Sequence, residues 1–143
     1  CAARVQMIEE KIISHKTQVD IIIIDRFFDS TLAYQGSVRT LKMRYRDFEK
    51  MIVSLALGIM PDLTFIFDVS PEISLKRKRD KDRFFKKKIQ FHHNVRFFYK
   101  KLSRRFPKRM VVIDSSNTLE NVSQELWNIF LTRCPRRFLN YIR

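Results

Sequence analysis

Val19-Asp-Ile-Ile-Ile-Ile-Asp-Arg-Phe-Phe-Asp-Ser-Thr-Leu-Ala-Tyr-Gln-Gly36 is the stretch on which the reading of this 143-residue chain turns. Four consecutive isoleucines, Ile21 to Ile24, between two aspartates predict a strand buried on both faces, as in a parallel sheet covered by helices. Such sheets bind ligands beyond the carboxyl ends of their strands, and there the sequence sets Asp25 and Arg26. A carboxylate at that place suits Mg²⁺ held through water, and a guanidinium suits a phosphate gripped by two hydrogen bonds. The same two residues also read as an ion pair capping a strand, so on their own they leave both readings open.

Outward from this stretch, the hydrophobic spacing divides the chain into alternating helices and strands. Residues 4 to 15 predict a helix with Val5, Ile8 and Ile12 inward and Glu9, Glu10 and Lys11 outward, entered at Arg4. Asp29 or Ser30 is expected to cap a short helix carrying Thr31 and Tyr34 on one face. Residues 37 to 45 read as a loop. Residues 46 to 57 predict a helix with Phe48, Met51, Ile52 and Leu55 inward, closed by Gly58. Residues 63 to 68 predict a second strand, and Ser70, Pro71 and Glu72 form a strong helix start. Residues 88 to 105 predict a helix through Phe91, Val95, Phe98 and Leu102. Its adjacent His92 and His93 point different ways and cannot share a metal as an i, i+4 pair would. Met110 to Ile113 predict a third strand. A helix at about 118 to 131 follows, with Leu119, Val122, Leu126 and Ile129 inward and Asn117/Glu120 as its capping pair.

Composition narrows the function classes. With 45% hydrophobic and 13% aromatic residues the chain can bury a core. No apolar run is long enough to span a bilayer, and no signal-peptide pattern opens the chain. Its first residue is Cys1 rather than methionine, so a preceding segment is expected. Cys1 and Cys134 make neither a disulfide framework nor a zinc site, and a reducing cytoplasm is the expected location. The net charge is +14, and sixteen of the 29 Lys and Arg residues lie between Lys76 and Arg109 against two acids, Asp80 and Asp82. That concentration fits either a polyanion footprint or a phosphate-closing loop.

The string Asp25-Arg26-Phe27-Phe28-Asp29-Ser30-Thr31-Leu32-Ala33-Tyr34-Gln35-Gly36 resembles the Asp-Arg-aromatic … Ser-Ser/Thr … Ala-Tyr-Gln-Gly signature of thymidylate kinases. The resemblance continues in register. Cys1-Ala2-Ala3-Arg4-Val5-Gln6 follows the family's arginine-led helix start, with Ala3 where an acid is usual. Pro61-Asp62-Leu63-Thr64 and Asp68-Val69-Ser70-Pro71-Glu72 also match closely. Asp82-Arg83-Phe84-Phe85 stands for the lid's Asp-Arg-aromatic-Glu, its glutamate replaced. Phe97 and Phe98 stand where the family usually has glutamate and glycine. The tail 134–143 has no recognised counterpart.

The resemblance implies an α/β fold: a partial P-loop nucleoside-monophosphate-kinase fold with a parallel sheet covered by helices. Residues 1–143 would be a single incomplete kinase domain, with a lid at about 77–88 and an extra basic tail at 134–143. It implies transfer of the ATP γ-phosphate to dTMP, with Mg²⁺, in a homodimer whose interface holds the helix from Val5 to Ile13. Arg26 would grip the acceptor phosphate, Asp25 would assist Mg²⁺ through water, and Arg77, Arg79 or Arg83 would close over the transferring group. Arg4 would bond the thymine carbonyl, Thr31 would lie near the base edge, and Tyr34 would lie against the deoxyribose, with Gln35 nearby. Ser115 and Ser116 would lie beside the adenine. The sequence lacks the Gly-x-x-x-x-Gly-Lys-Ser/Thr loop that cradles a triphosphate. The central strand and P-loop are therefore expected upstream of Cys1, and the 143 residues alone are expected to be inactive. Two other readings remain: a basic nucleic-acid-binding module, with aromatics interleaved among the cations of 83 to 106, and a non-catalytic relic or paralogue.

Overall fold

The computed structural model describes residues 6–15, 17–37, 45–77 and 89–133, in two units, Cys1–Pro61 and Asp62–Arg143.

In the first unit, α1 (Ile8–Ile13) buries Ile8 and Ile12 and exposes Glu9, Glu10 and Lys11, as the spacing predicts. Its turns are wider than α-helical: the Ser14 N–H reaches the Glu9 carbonyl, five residues back. The isoleucine run departs from expectation. Residues 21 to 24 form no strand, and Ile23 is 91% exposed. A strand is held by its neighbours' backbone groups, and the described residues of this unit contain no strand to supply them.

Helix α2 (Phe28–Gly36) buries Phe28, Leu32 and Ala33 and packs against α3 (Tyr45–Leu55). It begins at Phe28, so Asp29 and Ser30 lie in its first turn and are not its caps. Asp29 is buried there, where the helix dipole favours a carboxylate. After α3 the backbone turns through two left-handed residues, Leu57 (φ 52°) and the expected Gly58 (φ 72°). Met51 is 40% exposed, contrary to its expected inward place. The side chains of Phe48, Ile52 and Leu55 lie outside the described residues.

The second unit is built on a parallel pair, β1 (Thr64–Asp68) and β2 (Met110–Asp114), with Thr64 opposite Met110 and Asp68 opposite Asp114. The crossover runs through α4 (Pro71–Arg77) and α5 (Ile89–Arg105). Helix α4 starts as the sequence predicts: Ser70 Oγ accepts the Ile73 N–H at 3.3 Å, and Pro71 occupies the first position, where no N–H is needed. Helix α5 packs on β2 and α4, with Val95 and Leu102 buried and Phe91 and Phe98 half-buried. Helix α6 (Leu119–Arg133) packs on β2, and Val122, Leu126 and Ile129 are half-buried. Leu119 is 77% exposed, not inward. Thr118, whose Oγ1 accepts the Asn121 N–H at 3.4 Å, caps this helix in place of the expected Asn117/Glu120 pair. Ile66, Met110 and Ile113 bring the buried side of the strands to the core. The α/β class, with parallel strands flanked by helices, is as expected. No helix among the described residues is long and apolar enough to cross a membrane.

Candidate functional site

In the first unit the candidate residues gather where the isoleucine run meets α2. Arg26 adopts φ 63°, a left-handed conformation that costs a non-glycine residue about 1–2 kcal/mol. Such backbone persists only where the surroundings fix it, and it concentrates at functional positions. The Arg26 guanidinium lies 5.7 Å from the centroid of the Tyr34 ring, within cation–π range. Tyr34 is placed by a helix anchored through the buried Phe28, Leu32 and Ala33, and Phe27 meets Phe28 edge-on at 5.0 Å. Thr31, one turn before Tyr34, is likewise half-buried, while Gln35 and Asp25 are exposed. Arg26 and Tyr34 thus meet, with Thr31 on the same side of α2.

No three His, Cys, Asp or Glu side chains cluster for a metal among the described residues. A single exposed carboxylate such as Asp25 nevertheless fits Mg²⁺, which keeps several waters and takes other ligands from phosphates.

In the second unit the carboxyl ends of β1 and β2 set Asp68 beside Asp114. Asp68 is 14% exposed and is held by Arg96, with Nε to Oδ1 at 2.6 Å and Nη2 to Oδ2 at 2.9 Å, and by Lys100 Nζ at 2.9 Å. The Arg96 bond lowers the Asp68 pKa to about 2; burial opposes this and Lys100 reinforces it. Asp68 in turn raises Arg96. The Asp68 carbonyl accepts the Ser115 N–H at 2.8 Å, which fixes the exit from β2.

The turn after β2 is held from two further sides. Asp114 Oδ1 accepts the Ser116 N–H at 2.9 Å and the Ser116 hydroxyl at 2.6 Å, and the hydroxyl bond is the main reason its pKa falls. From α4, Arg77 donates Nη1 to the Ser115 carbonyl at 2.6 Å and Nη2 to the Ser116 carbonyl at 2.8 Å. With those edges occupied, the face of a planar guanidinium is what remains for a flat ring. The Ser115 hydroxyl is buried with no partner among the described residues. Nearby, Glu72 binds His93 Nε2 at 2.8 Å, and its own N–H, the Ser70 hydroxyl and His93 lower its pKa. His92 Nε2 is buried without a partner among the described residues.

Arg77, Ser115 and Ser116 therefore come together, and Arg26 joins Tyr34. Arg4, Arg79 and Arg83 lie outside the described residues. The Asp68–Arg96–Lys100 cluster escaped the sequence reading. Its signal was there: two cations four apart on one helix, and an acid closing a strand.

The family model for thymidylate kinase matches residues 1–126. The chain is 37% identical over 131 residues to a thymidylate kinase from Thermoanaerobacter sp. (strain X514), covering 90% of this chain and 63% of that protein. It is 39% identical over 137 residues to one from Geobacillus thermodenitrificans (strain NG80-2), covering 92% and 60%. The crystal structure of thymidylate kinase from Ehrlichia chaffeensis superposes with a TM-score of 0.68 at 25% identity, covering 91% of this chain and 61% of that one. The chain thus spans about three-fifths of the length of these relatives. It belongs to the thymidylate kinase family.

Proposed function

We propose that this chain carries the acceptor and adenine sides of a phosphotransferase that moves the ATP γ-phosphate onto the 5′-phosphate of dTMP, giving dTDP in the cytoplasm. The observation that carries the proposal is Arg26. It holds a strained left-handed backbone and places its guanidinium over Tyr34 within the family's signature. Arg26 grips the acceptor phosphate, and the Tyr34 ring lies against the sugar and excludes a 2′-hydroxyl. Arg4, Thr31 and Gln35 join Tyr34 in reading the nucleoside. Asp25 is the carboxylate that holds Mg²⁺ through water, and the ion supplies charge neutralisation at the phosphates when bound.

On the adenine side, Ser115 and Ser116 border the base. Arg77, tied to their carbonyls, positions that turn and must release those bonds if it is also to reach the transferring group. Arg79 and Arg83, in the 77–88 lid, close over that group. Phosphoryl transfer relies on positioning and charge stabilisation rather than covalent chemistry, so these roles suffice on the acceptor side. A triphosphate cradle comes from outside these 143 residues, and the complete enzyme is a homodimer joined through α1.

Calorimetric titration of dTMP into the chain tests the central assignment. Arg26→Ala removes a charge-assisted contact of roughly 1.5–3 kcal/mol, a loss of about tenfold or more in affinity, with thymidine binding unchanged. Unchanged dTMP affinity in a folded variant would make Arg26 structural. Heat-sensitive ADP release from ATP and dTMP that scales with the chain would refute the need for an external cradle.

A further inference from the structure

Helix α5 carries Arg96, Lys100, Lys101, Arg104 and Arg105 across Ile89–Arg105 and not one Asp or Glu. These cations fall into two groups. Arg96 and Lys100 turn to Asp68, while Lys101, Arg104 and Arg105 are exposed, followed by exposed Lys108. Phe97 is 61% exposed and begins a line through Lys101 and Arg104 at i, i+4 and i+7, a single side of α5, and the exposed Lys108 lies in the turn just beyond the helix end at Arg105. The apolar residues Val95 and Leu102 are buried on another side, so core packing does not account for Phe97. Phe98 turns its ring to Lys101 at 5.9 Å, and Arg105 lies 5.6 Å from the Phe106 ring.

We propose that the exposed side of α5, Phe97 with Lys101 and Arg104, continued by Lys108 in the turn after it, binds single-stranded nucleic acid: the cations take successive phosphates and the Phe97 ring takes an unpaired base. Charge complementarity selects the partner, since a helix without acids inside a +14 chain attracts a polyanion. The exposed ring among the cations selects the single strand, because every unpaired base offers a face to stack on. A lipid surface would need a broad apolar side turned outward. Here the exposed line is cationic beyond Phe97, and the helix's aliphatic side faces the core.

The test is fluorescence anisotropy of the whole chain with a labelled mixed-sequence oligonucleotide across about 50–200 mM salt. RNA and DNA are expected to bind alike, since both offer phosphates and base faces, and a duplex of the same sequence more weakly. Phe97→Ala lowers affinity roughly 5- to 150-fold without altering the salt slope, while Phe97→Trp retains binding. Lys101→Ala with Arg104→Ala flattens the slope by about 1.4, two contacts at about 0.7 each. The control pair Lys11→Ala with Lys50→Ala, exposed cations elsewhere, leaves it unchanged. Unaltered affinity in Phe97→Ala, equal duplex binding, or an equal slope change in the control pair would overturn the proposal. So would binding to phosphatidylserine vesicles that outcompetes the oligonucleotide.

Discussion

The two units divide the molecule's information in opposite ways. Cys1–Pro61 holds the long family signature, yet its isoleucine run, the most strand-like stretch of the sequence, is not in a strand and leaves Ile23 bare. Asp62–Arg143 departs from the family at Phe97 and Phe98, yet it forms a regular parallel pair with buried Ile113 and a closed network around Asp68. A recognisable motif and a physically completed structure are therefore separate properties. The motif depends on which atoms are presented to a ligand, and the structure on whether each segment finds its neighbours.

The sharpest break of this contrast uses one residue type in both units. Ile113→Ala, at a fully buried site, is expected to cost about 2–5 kcal/mol, while Ile23→Ala stays within about 0.5 kcal/mol. Urea denaturation of both variants measures the difference. Equal losses would mean that the isoleucine run is buried in solution.

Next in size is Asp68→Asn, expected to lower stability by about 2 kcal/mol, the scale of a carboxylate held near pKa 2 instead of 3.8. Because the folded pKa is depressed, this stabilisation is complete above pH 3.8 and fades as pH falls through about 2. Wild type and Asp68→Asn should therefore converge in thermal stability as the buffer is taken from pH 5 towards pH 2. A gap constant over that range would exclude the carboxylate's charge as its origin.

In the first unit, Tyr34→Leu keeps the apolar bulk and removes the ring under Arg26, for about 0.5–1 kcal/mol. A double-mutant cycle with Arg26→Ala should recover that coupling, and zero coupling would separate the two residues. The smallest effect is expected at Leu57→Gly. Relief of a left-handed leucine, about 1–2 kcal/mol, is offset by glycine's entropy of about 0.5–1 kcal/mol. A slight rise in melting temperature is the expected outcome, and a fall would show that the exposed Leu57 side chain contributes packing.

Much of this was legible in the sequence. Ser70-Pro71 announced α4 because capping is local chemistry, and the 3.6-residue spacing of Val95 and Leu102 announced α5. Arg26 and Tyr34 were named from the signature, and they meet. The failures share a cause: they depend on partners distant in sequence. Periodicity cannot say whether Ile21–Ile24 will find a neighbouring strand, nor that Leu119 and Met51 lie beyond the reach of the core. It likewise cannot show that Asp68 recruits Arg96 across 28 positions. The cap at Asn117 failed by one residue and that at Asp29 by two, the scale on which helix ends shift.

The bare isoleucines also bear on the chain's colloidal behaviour. An extended apolar segment with no strand beside it among the described residues of its unit is a template on which another chain can add a strand. Against it stands the mutual repulsion of molecules carrying fourteen net positive charges, felt over about 10 Å at 0.1 M salt and about 3 Å at 1 M. Salt thus removes the barrier that keeps the adhesive segments of neighbouring molecules apart. For this chain the concentrated salt that ordinarily aids purification of basic proteins is the condition that favours precipitation, and dilute buffer is the condition that keeps it dispersed.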